Sequence, residues 1–188
     1  MVLLNYARLE GPTMINSIAI SVAIIGGLVT WASLATGLFL IWAAFVACAC
    51  FFNVGGDATA FKTTIVSNLF GVIVAWLTGL VIVEVSGGPA LSAMIVAISI
   101  VAYISAAHIK LFSAIPAVTY GYACAFAYLT QNPSAFTPDA MLSASLGNAL
   151  VIVPFSMIIG ACFAYASASL AAELNGRFGP ALKGSSTT

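Results

Sequence analysis

The residues of this chain that could do chemistry are neutral ones set in apolar sequence. Amides, hydroxyls and thiols in an apolar wall can replace the hydration shell of a small uncharged polar solute, as they do in selective pores. The middle of each apolar run contains no Asp, Glu, Lys, Arg or His, the groups that mark ion coupling inside membranes. The candidate pore or solute-binding residues are Asn68, Asn148, Cys48, Cys124, Trp42, Phe45, Thr119, Tyr120 and Tyr122.

Each of these residues also has an ordinary structural role open to it. A buried asparagine can hydrogen-bond one helix to another, and we weigh that role equally with a pore role for Asn68 and for Asn148. The aromatic residues can equally face lipid or fill the core. The cysteines lie inside apolar runs and are expected to be reduced, packed thiols.

An enzymatic function is not expected. His108 is the only histidine, and it stands next to Lys110 at a predicted membrane edge with no serine or acidic partner in a suitable pattern. Cys48 and Cys50 would point in different directions on a helix and so could not chelate one metal ion together. We therefore expect no cofactor and no metal. The chain has a formal net charge of +0, which offers no basic surface to nucleic acid.

The elements that must position the candidate residues are membrane-spanning helices. Hydrophobic side chains make up 62% of the 188 residues, far more than a soluble domain of this size needs. At about 20 apolar residues per crossing, the apolar runs accommodate about six spans. We expect an all-α integral membrane protein with a short lead at 1–13, one membrane domain at 14–172 and a polar tail at 173–188.

The predicted spans follow the breaks in the apolar sequence. An uncharged run at 14–54 is long enough for two crossings joined by a turn at 33–37. Further spans are predicted at about 64–83, 90–107, 111–130 and 141–170. Pro154 in the last of these is expected to kink the helix.

The basic residues predict the orientation of these six spans. Arg8, Lys62, Lys110, Arg177 and Lys183 all fall in segments that six crossings place on one side, and positive charge is retained in the cytoplasm. Both termini are therefore expected to be cytoplasmic. Asp139 and Glu84 are expected to face outward.

The two halves of the chain resemble each other. Shifting the sequence by 76 positions places Ala47-Cys48-Ala49 on Ala123-Cys124-Ala125, with aromatic residues following both. Asn68 lies 80 positions before Asn148. We interpret the halves, at about 14–86 and 89–170, as two three-helix repeats, which an odd number of crossings would leave inverted in the membrane. Chance similarity between alanine-rich helices is the alternative.

Several of these residues also resemble a known family. Trp42, Phe45 and Cys48, followed by Gly55-Gly56, together with Ile115-Pro116 and the run from Gly121 to Ala125, are similar to the small bacterial inner-membrane proteins of the domain-of-unknown-function 1097 family. The resemblance covers most of the chain from the first span to the sixth. It implies a bacterial inner-membrane protein with about six spans, and it implies no activity for particular residues.

The function we expect is that of a passive channel or facilitator for a small uncharged solute of the urea, short-amide, water, glycerol or ammonia class. Its partners would be the lipid bilayer, the solute and further copies of the same chain, because small-residue faces on nearly every span favour a homo-oligomer. The alternative is a structural or regulatory membrane protein that transports nothing.

Overall fold

The computed structural model describes the backbone of residues 12–183 and the side chains of residues 15–176. Arg8 and most of the predicted lead lie outside the described residues, as do the side chains of Arg177 and Lys183. All the regular structure within residues 12–183 is helical, so the all-α prediction is confirmed. The helices are α1 (Pro12–Thr36), α2 (Ile41–Asn53), α3 (Ala58–Val85), α4 (Gly88–Ser105), α5 (Ile115–Gln131), α6 (Pro138–Leu142) and α7 (Ala149–Lys183).

Turn-forming and capping residues mark the helix boundaries. Gly37, with φ of 64°, lies in the short connection between α1 and α2, where the sequence predicts a turn. The Asp57 side chain accepts a hydrogen bond from the Ala60 N–H at 2.7 Å, which caps the start of α3. Ser86, in the left-handed conformation, ends α3 just before α4 begins.

Within residues 12–183, four helical segments are long and apolar enough to cross a membrane. They are Ile15–Thr36, Ala58–Val85, Gly88–His108 and Ala149–Gly176. α2 has 13 residues and α5 has 17. At 1.5 Å per residue these two helices are about 20 Å and about 26 Å long, somewhat less than the roughly 30 Å hydrocarbon core of a bilayer.

The sixth predicted span begins later than expected. Met141 and Leu142 belong to the short helix α6, and the long helix α7 starts at Ala149. The break between them holds serines, a glycine and Asn148, residues whose side chains or flexible backbone favour turns over helix. Once it has begun, α7 continues as one helix through Pro154.

Close backbone contacts hold the helices together in parallel pairs. A Cβ atom on Gly71 of α3 would overlap the Val118 carbonyl of α5, and further along the pair Gly79 faces Leu129. In the second pair, a Cβ atom on Gly160 of α7 would overlap the Ala44 backbone of α2. Such small-residue crossings are how helices associate where lipid supplies no hydrophobic force. α3 thus runs alongside α5, and α7 alongside α2.

The remaining packing is centred on the two long helices. α7 packs extensively against α1 as well as α2, and it also contacts α3. α4 contacts mainly α3, and only Tyr103 on this helix is buried. Phe51, Leu129, Met141 and Val72 are among the fully buried residues of the interior.

Candidate functional site

Three deeply buried polar residues lie on one face of α3. Thr64 and Ser67 are 0% exposed and Asn68 is 2% exposed. Their spacing of three and four residues places them on adjacent turns of the same side of the helix. This group of Thr64, Ser67 and Asn68 is called the α3 polar cluster below.

The α3 polar cluster carries hydrogen-bonding atoms that have no partner. The Thr64 Oγ1, the Ser67 Oγ and the Asn68 Nδ2 are all buried and make no hydrogen bond of acceptable geometry. Thr64 does lie beside the Cys50 thiol, but not in an arrangement that satisfies its hydroxyl. Buried polar groups are nearly always paired because an unmet one costs about 1–3 kcal/mol. Three within two helical turns therefore require an explanation.

The one polar contact from this cluster to another helix goes to a cysteine. The Cys50 Sγ donates to the Asn68 Oδ1 at 3.4 Å and ties α2 to α3. With its acceptor oxygen occupied by Cys50, Asn68 is left with two free N–H donors.

A small cleft opens beside Asn68 between α3 and α7. Its cavity volume is about 10 Å³, about the room that one water molecule needs, and its walls are otherwise apolar. The residues around it are Ile65, Asn68, Leu69, Pro154, Met157 and Ile158. Asn68 is thus the polar residue at this gap between the two long helices.

Asn148, the second predicted amide, has a different role. Its Oδ1 accepts from the Leu150 N–H at 2.9 Å, and its Nδ2 donates to the carbonyls of Met141 at 2.6 Å and Ser143 at 2.8 Å. It therefore caps α7 and fixes the connection to α6. Both N–H donors of the Asn148 side chain are used within the protein, and its oxygen already accepts one hydrogen bond, in contrast to Asn68.

The predicted phenol and hydroxyl residues meet in a separate cluster between α4 and α5. The Tyr122 hydroxyl lies 2.6 Å from the Ser99 Oγ, and the Thr119 Oγ1 donates to the Tyr103 hydroxyl at 3.3 Å. The Tyr103 and Tyr122 rings are 5.0 Å apart. These contacts attach the exposed helix α4 to the bundle.

The other predicted residues are dispersed. Phe45 is 42% exposed and packs edge-on against Phe163 at 5.5 Å, so it lies at the surface of the described bundle. Trp42 and Tyr120 are half-buried against the main core. Cys48 is buried in a second core cluster with Phe163, away from Asn68.

The missed members of the site are Thr64, Ser67 and Cys50. The signal for the first two was present, since polar residues at 64, 67 and 68 share one face of any helix that contains them. The contact of Cys50 with Asn68 depends on how α2 and α3 cross, which no local pattern specifies.

The fold and the site define a class: a helical multi-pass membrane protein with a neutral polar cluster in its interior. Residues 19–172 match the family described as "Protein of unknown function (DUF1097)". Because the match covers most of the chain, the protein belongs to that family. No curated protein and no solved structure shows a significant match to the chain.

Proposed function

We propose that this protein is a passive facilitator that lets a small uncharged polar solute cross a bacterial inner membrane. The observation that carries the proposal is the α3 polar cluster, with three unpaired hydrogen-bonding atoms at 0–2% exposure. Such groups are costly in an apolar interior, and a passing solute would satisfy them. The Asp, Glu, Lys, Arg and His residues of the described segments lie near the ends of the long apolar segments or in connections, which leaves no charge in mid-span to couple transport to an ion.

The architecture proposed for this role is six spans arranged as two inverted three-helix repeats. In it, α1, α2 and α3 correspond to α4, α5 and α7. The parallel pair α3 with α5 then corresponds to the parallel pair α7 with α2, as an exchange of the two halves requires. Alternating crossings also make both pairs parallel, which supports counting α2 and α5 as spans.

The burial pattern supports the same correspondence. Ala60, Ser67, Gly71, Ala75 and Thr78 on α3 are buried. Residues 89 positions later on α7 are buried in the same order: Ala149, Ser156, Gly160, Ala164 and Ser167. At each of these five positions the α7 residue has the same type as the α3 residue or a similar size, with Ser paired with Ser, Gly with Gly and Ser with Thr.

The buried positions of α2 and α5 also correspond, at a smaller offset. All six buried residues of α2, from Ala43 to Phe51, fall on buried residues of α5 when they are moved by 74 positions. This register places Cys50 on Cys124, whereas the sequence comparison had paired Cys124 with Cys48. The close approach of Ala44 to Gly160 then matches that of Val118 to Gly71.

The proposed repeat changes the partner of Asn68. An offset of 89 places Asn68 opposite Met157, and Asn148 has no counterpart in the middle of α3. The shift arises because 17 residues connect α5 to α7, while four connect α2 to α3. Asn68 and Asn148 are therefore not equivalent stations of a symmetrical path.

The remaining features of the proposal concern location and assembly. Both termini would be cytoplasmic, and the protein would act without a cofactor and without catalysing a reaction. The outward apolar face of α4, with Met94, Ile98 and Val101 at least 60% exposed, would meet lipid or another copy in a homo-oligomer. Native mass spectrometry from mild detergent should detect that oligomer, and a purely monomeric species would contradict it.

A second candidate is a structural membrane protein that transports nothing. The observation in its favour is the backbone-to-backbone packing at Gly71, Gly121 and Gly160, which closes the centre of the bundle tightly. Transport would then require these helices to separate locally.

Reconstitution in liposomes distinguishes the two candidates. Stopped-flow swelling should be measured for water, urea, acetamide and glycerol without an ion gradient. Facilitation predicts a rate above that of empty liposomes for at least one solute. It also predicts a fall of about 5- to 150-fold in Asn68→Met, corresponding to a loss of about 1–3 kcal/mol at the barrier. Rates equal to those of empty liposomes for all four solutes would favour the structural candidate.

A further inference from the structure

We propose that Thr64, Ser67 and Asn68 form a binding site for the carbonyl oxygen of a small neutral amide. The inference rests on the proposed function in taking the solute to be small, polar and uncharged, and it goes further by naming the site and the chemical group that the site recognises. Asn68 has two unpaired N–H groups, and the two neighbouring hydroxyls can each donate.

The hydrogen bond that the Asn68 oxygen already accepts also favours a carbonyl ligand. The Asn68 Oδ1 already accepts a hydrogen bond from the Cys50 thiol at 3.4 Å, so the Asn68 side chain offers mainly N–H donors to a ligand. The ligand that suits this set of donors is a group that accepts several hydrogen bonds at once. A carbonyl oxygen can do so because it has two lone pairs. An anion would require a nearby positive charge, and the closest described cation on this helix, Lys62, is exposed near the start of α3.

Comparison with α7 separates this site from ordinary packing. The positions 89 residues after Thr64, Ser67 and Asn68 are Val153, Ser156 and Met157, and all three are buried. Val153 and Met157 fill the same kind of position with purely apolar side chains. Helix packing at this place therefore does not demand Thr64 or Asn68.

Ser67 on α3 and Ser156 on α7 also differ in their hydrogen bonding. The Ser156 Oγ accepts from the Leu40 N–H at 2.8 Å and donates to the Ile152 carbonyl at 2.6 Å. The Ser67 Oγ has no partner. On α7 the hydroxyl is used by the protein itself, whereas on α3 it remains available.

The cleft between α3 and α7 provides the route to Asn68. Its cavity volume of about 10 Å³ lies against Asn68, Pro154 and Met157. Apolar walls with one polar side are the usual form of a small-molecule site. Because this volume suits one water molecule, a compact amide would enter as α3 and α7 separate locally, with its oxygen toward Asn68 and its carbon atoms against the apolar walls.

The test follows the side-chain amide signals of protein labelled with ¹⁵N-asparagine in detergent micelles. Acetamide is the probe, and the Asn68 signal is assigned by its loss in Asn68→Met. Acetamide should shift the Asn68 signal saturably and leave that of Asn148, whose N–H donors are both used within the protein, unchanged. Thr64→Val, which introduces the residue found at position 153, should fold and weaken binding about 2- to 10-fold, the effect of one hydrogen bond.

Three results would overturn the site. They are an Asn68 signal that acetamide does not move, equal shifts at Asn68 and Asn148, and unchanged binding in both Thr64→Val and Ser67→Ala. Magnetisation transfer from water to Asn68 without any response to acetamide would show that the cluster holds water alone, and would also overturn it. Glycerol distinguishes a hydroxyl from a carbonyl ligand, because an equal response to both compounds would contradict carbonyl recognition.

The two proposals fail separately. Saturable binding with no solute flux in liposomes would remove the transport function and leave the site standing. Flux without any Asn68 response to acetamide would remove the site and leave transport standing.

Discussion

Ser67 on α3 and Ser156 on α7 stand at the same step of one burial pattern, yet only Ser156 has hydrogen-bond partners. Both side chains are 0% exposed. Ser156 connects the start of α2 to α7 by accepting from the Leu40 N–H at 2.8 Å. The difference shows that the two long helices share a packing scheme but use its polar positions for different purposes.

The serine pair gives a first prediction. Ser156→Ala should lower the free energy of unfolding by about 1–3 kcal/mol, because it leaves the Leu40 N–H without its partner. Ser67→Ala should leave it unchanged or slightly higher, because an unpaired buried hydroxyl is removed. Thermal unfolding in detergent measures both, and equal destabilisation by the two substitutions would contradict the assignment.

The glycine crossings give a second prediction. A Cβ atom at position 121 would overlap the Asn68 backbone, so Gly121→Ala should destabilise the fold by about 1–3 kcal/mol or more. Gly27 has no atom within 4 Å of such a Cβ, so Gly27→Ala serves as the matched control and should change stability by less than about 1 kcal/mol. If both proteins unfold at the parent temperature, α3 and α5 do not approach as closely as described.

Asn148 gives a third prediction. Asn148→Ala removes the cap of α7 and two hydrogen bonds to the preceding connection, which should cost about 1–3 kcal/mol. Solute flux per folded protein should remain near the parent value, because both N–H donors of Asn148 are used within the protein. Ser92→Ala on the exposed side of α4 is the control for stability. A selective loss of flux with unchanged stability would restore Asn148 to the transport path.

The orientation gives a fourth prediction. A phosphatase reporter that is active only in the periplasm should be inactive when fused to the C-terminus. The same reporter inserted beside Asp139 should be active. The prediction rests on Lys62, near the start of α3, and Lys110, in the connection between α4 and α5, which six crossings would place on the same side as both termini. An active C-terminal fusion would reverse the proposed topology.

The site was predicted in part, and the reason differs from residue to residue. Asn68 could be found from the sequence because an amide inside an apolar run must be paired or functional in any fold. Asn148 looks similar in sequence, but it lies at the end of the break between α6 and α7, and its side chain caps α7. The pairing of Cys124 with Cys48 follows from the similar sequence around the two residues, whereas the repeat proposed above pairs Cys124 with Cys50. Sequence similarity between two apolar helices is too weak to choose among neighbouring registers.

The sequence by itself indicated an all-α membrane protein, because 62% of its residues are hydrophobic and its long, nearly uncharged apolar runs satisfy their backbone groups in a bilayer as helices. It also indicated the turn before α2 and the charged helix ends, which depend on local chemistry. The tertiary structure alone decided which helices run side by side and therefore which polar atoms have partners. Thr64, Ser67 and Asn68 remain unpaired because the groups able to bond them lie on other helices, and only the crossing of those helices decides whether a partner comes within reach.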